Sequence, residues 1–147
     1  MGTLNIPASS LVYVDTSTVI YSVEKFPEYV PLLAPLSLKL QAGEIEIVNS
    51  ELILMETLVL PLRNSNSILI NAYEQLLISS EMRLIPISQS ILRQAANLRA
   101  TSNLKTPDAI HAATGLSVSC NQFITNDKGF RNVPGLPVVI LSEVLAS

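Results

Sequence analysis

Short apolar segments alternate with longer segments along this chain, and this alternation is the first indication of its architecture. Each short segment is a continuous hydrophobic run, as expected of strands that are covered on both faces. The candidate strands span residues 11–14, 45–48, 83–87, 122–125 and 138–141. In the third candidate, Pro86 indicates a strand end or an edge strand, because proline has no N–H to donate to a central ladder.

The longer segments between these strands predict helices from their length, their capping residues and their prolines. The predicted helices cover residues 18–40, where three prolines imply one or two helices, and residues 51–60, 66–79, 91–100 and 107–118. Pro61 should end the helix at 51–60, and Asn64 or Ser65 should cap the next one. Thr106 should cap the last helix, with Pro107 at its first helical position.

Strands that alternate with helices predict an α/β fold, here a three-layer sandwich in which helices flank a parallel five-stranded sheet. No internal repeat or linker divides the chain, so we expect a single domain over residues 1–147 with its core at about residues 11–142. In such sheets ligands bind at the carboxyl ends of the strands, where the strand order reverses. Chemistry is therefore expected at that edge.

Composition narrows the class of protein. Hydrophobic residues make up 48% and charged residues 14% of the 147 residues, which excludes intrinsic disorder. A mean hydropathy of +0.41 suggests more apolar surface than a monomer of this size hides, so we expect a homodimer or a partner groove.

The cysteine, histidine and hydropathy content excludes several kinds of site and location. One cysteine and one histidine leave no intramolecular disulfide and no zinc site of the usual His/Cys type. No signal peptide and no apolar run of about 18 residues is found. A cytoplasmic protein that does not span a membrane is the expectation.

All three aspartates lie at predicted strand or helix ends. Asp15 ends the first strand, Asp108 opens a helix, and Asp127 follows the fourth strand. Each has an alternative structural interpretation: Asp15 as a helix cap, Asp108 as a favourable charge in a first helical turn, and Asp127 as a turn residue. Their shared position at element ends nevertheless makes them candidates for function.

A fourth acid lies within an apolar helical stripe. On a helix from residue 51 to 60, an apolar stripe of Leu52, Met55, Val59 and Leu60 surrounds Glu56. A lone carboxylate on a buried face is costly unless a cation meets it. The alternative is a helix tilted so that Glu56 reaches water.

These four acids together predict a site for a hard divalent cation. Clustered carboxylates repel one another, and Mg²⁺ or Mn²⁺ relieves that repulsion because both ions prefer oxygen ligands. Such an ion can activate water and neutralise a scissile phosphodiester. The net charge of −3 implies that any grip on nucleic acid is local.

Four motifs in order resemble the PIN domain, particularly the VapC-like toxin nucleases of bacterial toxin-antitoxin pairs. The motifs are VYVDTSTVIY, ELILMETL, KTPDAIHAA and FITNDKGF, and the resemblance extends from about residue 12 to residue 141. It implies Mg²⁺- or Mn²⁺-dependent cleavage of single-stranded RNA, and a cognate antitoxin protein that inserts a helix or extended segment into the acidic cleft.

The resemblance also assigns site residues. The family's acidic quartet corresponds to Asp15, Glu56, Asp108 and Asp127, which would be metal ligands directly or through water. The family's polar oxygen beside the last acid corresponds to Thr125. Ser17 stands where many relatives carry Asn or Asp, and one ligand fewer would weaken the metal site.

The remaining polar candidates are one histidine and four basic residues. His111 lies on the same helix face as Asp108 and is either a satisfied core or supporting histidine or a contact to substrate phosphate. Arg99, Lys105, Lys128 and Arg131 bracket two motif acids and are either an RNA-contacting rim or solvated charge.

Two aromatic residues are also ambiguous. Tyr21 and Phe130 could stack on a base, although core packing is favoured for both.

Two rival functions remain open. The first is a metal-poor PIN domain that binds RNA or a protein without cutting, which Ser17 and the low basic content favour. The second is a phosphotransfer receiver module, but this needs a further acidic pair near the first strand and a lysine after the fifth, and neither is present.

Overall fold

A parallel sheet of five strands forms the centre of the molecule in the computed structural model, which describes residues 2–147. The strands are β1 Leu11–Val14, β2 Glu46–Ser50, β3 Arg83–Ile85, β4 Gln122–Thr125 and β5 Val138–Ile140. Their order is β3-β2-β1-β4-β5, and every neighbouring pair is parallel. The predicted fold class is therefore confirmed.

Helices connect and cover the strands. They are α1 Thr16–Val23, α2 Val30–Gln41, α3 Leu52–Arg63, α4 Ser67–Ile78, α5 Gln89–Thr101, α6 Thr106–Ser117 and α7 Leu141–Ala146, with a 3₁₀ helix at Lys128–Asn132. Asp15, Asn66 and Ser88 cap α1, α4 and α5, and each side chain accepts a backbone N–H three residues further on. These caps satisfy donors that the first helical turn leaves unpaired.

Successive strand residues point into two separate hydrophobic cores. In β1, Val12 and Val14 lie in one core cluster and Tyr13 lies in the other. In β4, Ile124 lies in the same cluster as Val12 and Val14, and Phe123 lies in the same cluster as Tyr13. Because side chains alternate across a sheet, both faces are buried under helices, and the predicted three-layer sandwich follows.

Prolines interrupt the helices less than the sequence predicts. Helix α3 continues through Pro61 to its end at Arg63, because Pro61 lies in the last turn and its ring is buried. Helix α2 likewise begins one residue before Pro31 and contains Pro35. Proline removes one helical hydrogen bond, and a short gap in the ladder is tolerated where packing holds the turn.

Two helix ends also differ from the prediction. Helix α6 starts at Thr106, which is inside the helix rather than its cap, and its hydroxyl accepts a hydrogen bond from Arg99 instead. The final helix α7 was not predicted at all. It has only 6 residues, too few to show a helical period in the sequence.

The buried face of α3 is not the one that the sequence indicated. Met55, Val59 and Leu60 are exposed, at 62%, 44% and 60%, whereas Ile53 and Thr57 are buried. Nearly every position of α3 is apolar, so the pattern did not distinguish its two faces. Glu56 consequently lies at the edge of the buried face and not within it.

Paired truncations in α3 should test this orientation. Ile53→Ala should lower the free energy of unfolding by about 2–5 kcal/mol, because it leaves a cavity in the core. Met55→Ala on the exposed face should change it by no more than about 0.5 kcal/mol. Chemical denaturation of both variants measures the difference, and a larger loss for Met55→Ala would contradict the assigned face.

Candidate functional site

The candidate site lies where the strand order reverses. The chain runs from β1 outward to β2 and β3, and β4 then returns to the opposite side of β1. The connections after β1 and β4 therefore diverge and leave a crevice at the carboxyl edge of the sheet. Asp15 directly follows β1, and Asp127 follows β4 by two residues.

Asp15 is buried and accepts hydrogen bonds at both carboxylate oxygens. Its Oδ1 accepts from the Ser17 hydroxyl at 2.9 Å, from the Thr18 hydroxyl at 2.9 Å and from the Thr18 N–H at 3.1 Å. Its Oδ2 accepts from the Thr125 hydroxyl at 2.5 Å. Asp15 is thus the cap of α1, as its alternative interpretation proposed, and it also lines the cleft.

Thr125 connects two of the acids. Its hydroxyl donates to Asp15 and accepts the backbone N–H of Asp127 at 3.0 Å. The Asp127 Oδ1 in turn accepts the N–H of Gly129 at 2.8 Å, which gives Asp127 the turn role considered above. A single buried hydroxyl at the end of β4 therefore fixes the geometry on both sides of the crevice.

Glu56 is held by two hydrogen-bond donors. Its Oε1 lies 2.6 Å from the Thr16 hydroxyl and 2.6 Å from His111 Nε2. Burial of this carboxyl raises its pKa, but the hydrogen bonds from His111 and Thr16 and the attraction to His111 outweigh burial, so the pKa is lowered. Glu56 is therefore ionised at neutral pH.

Asp108 experiences the charge of the other acids. It lies in the first turn of α6, and partial burial raises its pKa. The negative charge of Asp127 raises the pKa further, His111 opposes this, and Glu56 and Asp15 add smaller increases. The acids are thus close enough for their charges to interact.

One cleft of about 170 Å³ contains all four predicted acids. Its lining consists of Asp15, Thr16, Ser17, Glu56, Asp108, His111, Asp127 and Phe130. The cleft contains no lysine or arginine, so within it only His111 could carry a positive charge.

The donor set suits a hard cation, although the side chains are not arranged around one. Carboxylate oxygens are the ligands that Mg²⁺ and Mn²⁺ prefer, and a cation would relieve the repulsion that raises the pKa of Asp108. Over residues 2–147, no group of three or more Asp, Glu, His or Cys side chains could hold a metal ion as it stands.

The predicted basic rim lies outside the cleft. Arg99 donates to the Leu104 carbonyl and the Thr106 hydroxyl. Lys128 and Arg131 both pair with Glu143 of α7, the former at 3.9 Å, and Lys105 is an exposed residue just before α6. Glu143 was not expected from the sequence, because the helix that carries it was not predicted.

A larger cavity of about 530 Å³ lies between α5 and α6. Arg99 is its charged residue, and most of its other lining residues are alanines, with Leu92 and Ile110. It has no carboxylate, and its one hydroxyl, on Thr106, accepts a hydrogen bond from Arg99, so the smaller acidic cleft is the better candidate for chemistry.

The ambiguous aromatic residues pack within the protein. Phe130 is buried against Phe123, with ring centroids 4.8 Å apart. Tyr21 stacks on Tyr29 at 4.4 Å, and the Asn126 side chain donates to both hydroxyls. Packing therefore accounts for both aromatic residues.

Sequence reasoning missed two residues of the site, Tyr13 and Thr16. Tyr13 lies on β1 and contacts His111 through its hydroxyl, at 2.5 Å from Nδ1. Thr16 follows Asp15 and binds Glu56 across the cleft. The position of Thr16 beside a motif acid was a weak signal, whereas nothing in an apolar strand distinguishes Tyr13 from a core residue.

In residues 2–147, none of the helices is both long and apolar enough to cross a bilayer.

Comparisons with known proteins agree with the fold and the motifs. The family model described as "PIN domain" matches residues 12–136. No curated protein matches the chain.

Several solved structures share the fold. VapBC2 from Rickettsia felis, bound to a promoter DNA fragment, is similar at a TM-score of 0.69 and 16% identity over 88% of this chain and 98% of that one. A toxin-antitoxin complex from Klebsiella pneumoniae is similar at 0.60 and 25%, over 87% and 95%. FitAcB from Neisseria gonorrhoeae is similar at 0.57 and 19%, over 86% and 95%.

The family match covers most of the chain and includes all four acids of the cleft, and it confirms the resemblance that the motifs indicated. This chain belongs to the PIN domain family.

Proposed function

We propose that this protein is a metal-dependent endoribonuclease that cleaves single-stranded RNA and acts as the toxin of a toxin-antitoxin pair. The observation that carries the proposal is that four acids from separate parts of the fold line one cleft where the strand order reverses. These acids are Asp15, Glu56, Asp108 and Asp127. Membership of the PIN domain family supports nuclease chemistry. The similarity to toxin-antitoxin structures supports the toxin role.

The four acids are the proposed ligands of Mg²⁺ or Mn²⁺, directly or through water. When bound, such an ion supplies activation of water and neutralisation of charge on the phosphodiester. Thr125 and Ser17 support this chemistry indirectly, because both donate hydrogen bonds to Asp15 and orient its carboxylate. Burial and the charge of Asp127 raise the pKa of Asp108, and a cation would relieve the repulsion between these charges.

RNA would be gripped at the rim rather than in the cleft. Arg99, Lys105, Lys128 and Arg131 are the proposed phosphate contacts. Lys128 and Arg131 already hold the carboxylate of Glu143, so an RNA phosphate would replace that partner. With a net charge of −3, such local contacts and the metal would have to provide the attraction.

A protein partner and self-association belong to the same proposal. The similar structure from Klebsiella pneumoniae is a toxin-antitoxin complex, which supports a cognate antitoxin that fills the acidic cleft. Apolar side chains of α3 and α4 are exposed without a partner, and they support a homodimer or antitoxin interface. These side chains are Met55, Val59, Leu60, Leu62 and Ile68.

A second candidate function is RNA or protein binding without cleavage. Two observations favour it: the acids are not arranged around an ion as they stand, and Ser17 supplies a hydroxyl where many relatives carry an acid or amide. Metal-dependent cleavage of a generic single-stranded RNA distinguishes the two functions.

Matched substitutions at Glu56 and Glu51 should test the nuclease proposal. Glu56→Gln should reduce Mn²⁺-dependent cleavage by at least about 10- to 100-fold, which is the typical loss when a group that orients a metal ligand is removed. Glu51→Gln should leave cleavage unchanged, because Glu51 is an exposed acid next to the same helix that does not line the cleft. Cleavage is followed on a labelled single-stranded RNA during Mn²⁺ titration.

Asp15→Asn provides the second arm of this experiment. It keeps an amide oxygen that can cap α1 but removes the charge, so cleavage should be lost while the circular dichroism spectrum stays native. Equal activity of the parent, Glu56→Gln and Asp15→Asn would refute the assignment of these acids. A parent that binds RNA but never cuts it would favour the binding module.

Asp108→Asn should stabilise the metal-free protein at neutral pH. The pKa of Asp108 is raised on folding, so its ionisation costs stability once the pH exceeds its ordinary value, and the full cost applies above the raised pKa. The advantage of the variant should therefore disappear below pH 4, where the carboxyl is protonated in both states. Thermal unfolding across pH measures this.

Saturating Mn²⁺ should make the parent more stable than Asp108→Asn. A bound ion stabilises the folded protein by an amount that rises with the logarithm of its affinity, so the parent should gain more than Asp108→Asn. An unfolding temperature that is lower for the variant than for the parent in metal-free buffer at pH 7 would contradict the repulsion assigned to Asp108.

A further inference from the structure

A chain of hydrogen bonds runs from the interior of the sheet to the cleft. The Tyr13 hydroxyl lies 2.5 Å from His111 Nδ1, and His111 Nε2 lies 2.6 Å from Glu56 Oε1. Tyr13 and His111 are 0% and 2% exposed, so water does not compete for these bonds. Buried polar groups with no solvent alternative fix one another's orientation.

The proton positions along this chain follow from the acceptors. A carboxylate can only accept, so His111 Nε2 is the donor in its 2.6 Å bond to Glu56 Oε1. In the neutral ring Nδ1 is then the acceptor. The Tyr13 hydroxyl, 2.5 Å from Nδ1, is then the donor of that bond.

The two oxygens of Glu56 have different environments. Oε1 accepts from both His111 Nε2 and the Thr16 hydroxyl. Oε2 has no hydrogen-bond partner in the described part of the chain, and Glu56 lines the cleft. One oxygen is thus anchored by the protein, and the other is left for something in the cleft.

We infer that Tyr13 and His111 are positioning residues that anchor Glu56 through Oε1 and so leave Oε2 available to the proposed cation. The inference rests on the proposed function and deepens it, because it assigns one oxygen of Glu56 to hydrogen bonds within the protein and the other to the proposed cation. A group that orients a ligand raises its effective affinity, and loss of such a group typically costs about 10- to 100-fold in metal binding.

The packing of Tyr13 makes its hydroxyl separable from its ring. The ring stacks on Phe123 with centroids 4.7 Å apart and planes at 4°, so the ring position does not depend on His111. Tyr13→Phe therefore removes one donor and leaves the aromatic core intact. Tyr73→Phe is the matched control, because Tyr73 is equally buried and its hydroxyl binds Glu24 outside the cleft.

The first measurement needs no metal. Nitrogen-15 NMR of the metal-free protein should show His111 as the Nε2–H tautomer, with an unprotonated Nδ1, at a pH where the ring is neutral. The Nδ1 signal should shift in Tyr13→Phe and stay unchanged in Tyr73→Phe. A protonated Nδ1 in the neutral ring would overturn the assigned direction of the hydrogen bonds from Tyr13 through His111 to Glu56.

The second measurement is Mn²⁺ affinity by calorimetry. Tyr13→Phe should weaken binding by about 10-fold and His111→Leu by up to about 100-fold. His111→Gln should recover part of the loss, because its amide can still donate to Glu56, and Tyr73→Phe should have no effect. In the His111→Leu background, Tyr13→Phe should change nothing further, because Tyr13 acts only through His111.

The possible failures are distinguishable. Failure of the folded parent to bind Mn²⁺ would overturn the proposed metal site and this inference with it. Mn²⁺ binding by the parent that is unchanged in Tyr13→Phe and His111→Leu would overturn the inference alone. Additive losses in the double variant would show that Tyr13 does not act through His111, and would also overturn it.

Discussion

The carboxylate of Asp15 joins the parts of the molecule that make the site. Its Oδ1 accepts from Ser17 and Thr18 in the first turn of α1, and its Oδ2 accepts from Thr125 at the end of β4. One side chain therefore fixes both the start of a helix and the edge of the neighbouring strand. Because its donors are hydroxyl and N–H groups, they stabilise the negative charge without cancelling it. The other three acids line the same cleft.

Close packing of α6 on the sheet brings the next groups to that charge. Ala109, Ala112 and Ala113 are buried, and a Cβ at Gly115 would lie 2.9 Å from the ring of Phe123. Small side chains let the helix approach the sheet, and Asp108 and His111 on the same helix are carried towards the cleft. The raised pKa of Asp108 is the energetic consequence, since the fold partly buries this carboxyl and brings the charge of Asp127 close to it.

Prediction from the sequence succeeded where the chain imposes local rules. The continuous apolar runs predicted the five strands, and the cap Asn66 lies within two residues of the expected positions. Prediction failed where a local pattern had two solutions. Helix α3 is apolar around most of its circumference, so its buried face is set by contacts with the core at Ile53 and not by its own periodicity.

The sequence by itself determined the fold class, the family and the placement of acids at the ends of elements, because hydrophobic runs and element ends are local properties of the chain. Only the tertiary structure decided which groups share the cleft and how each is held. Tyr13 and His111 are 98 residues apart, and His111 and Glu56 are 55 residues apart. Hydrogen bonds over such separations depend on strand order and helix packing, which no local pattern encodes.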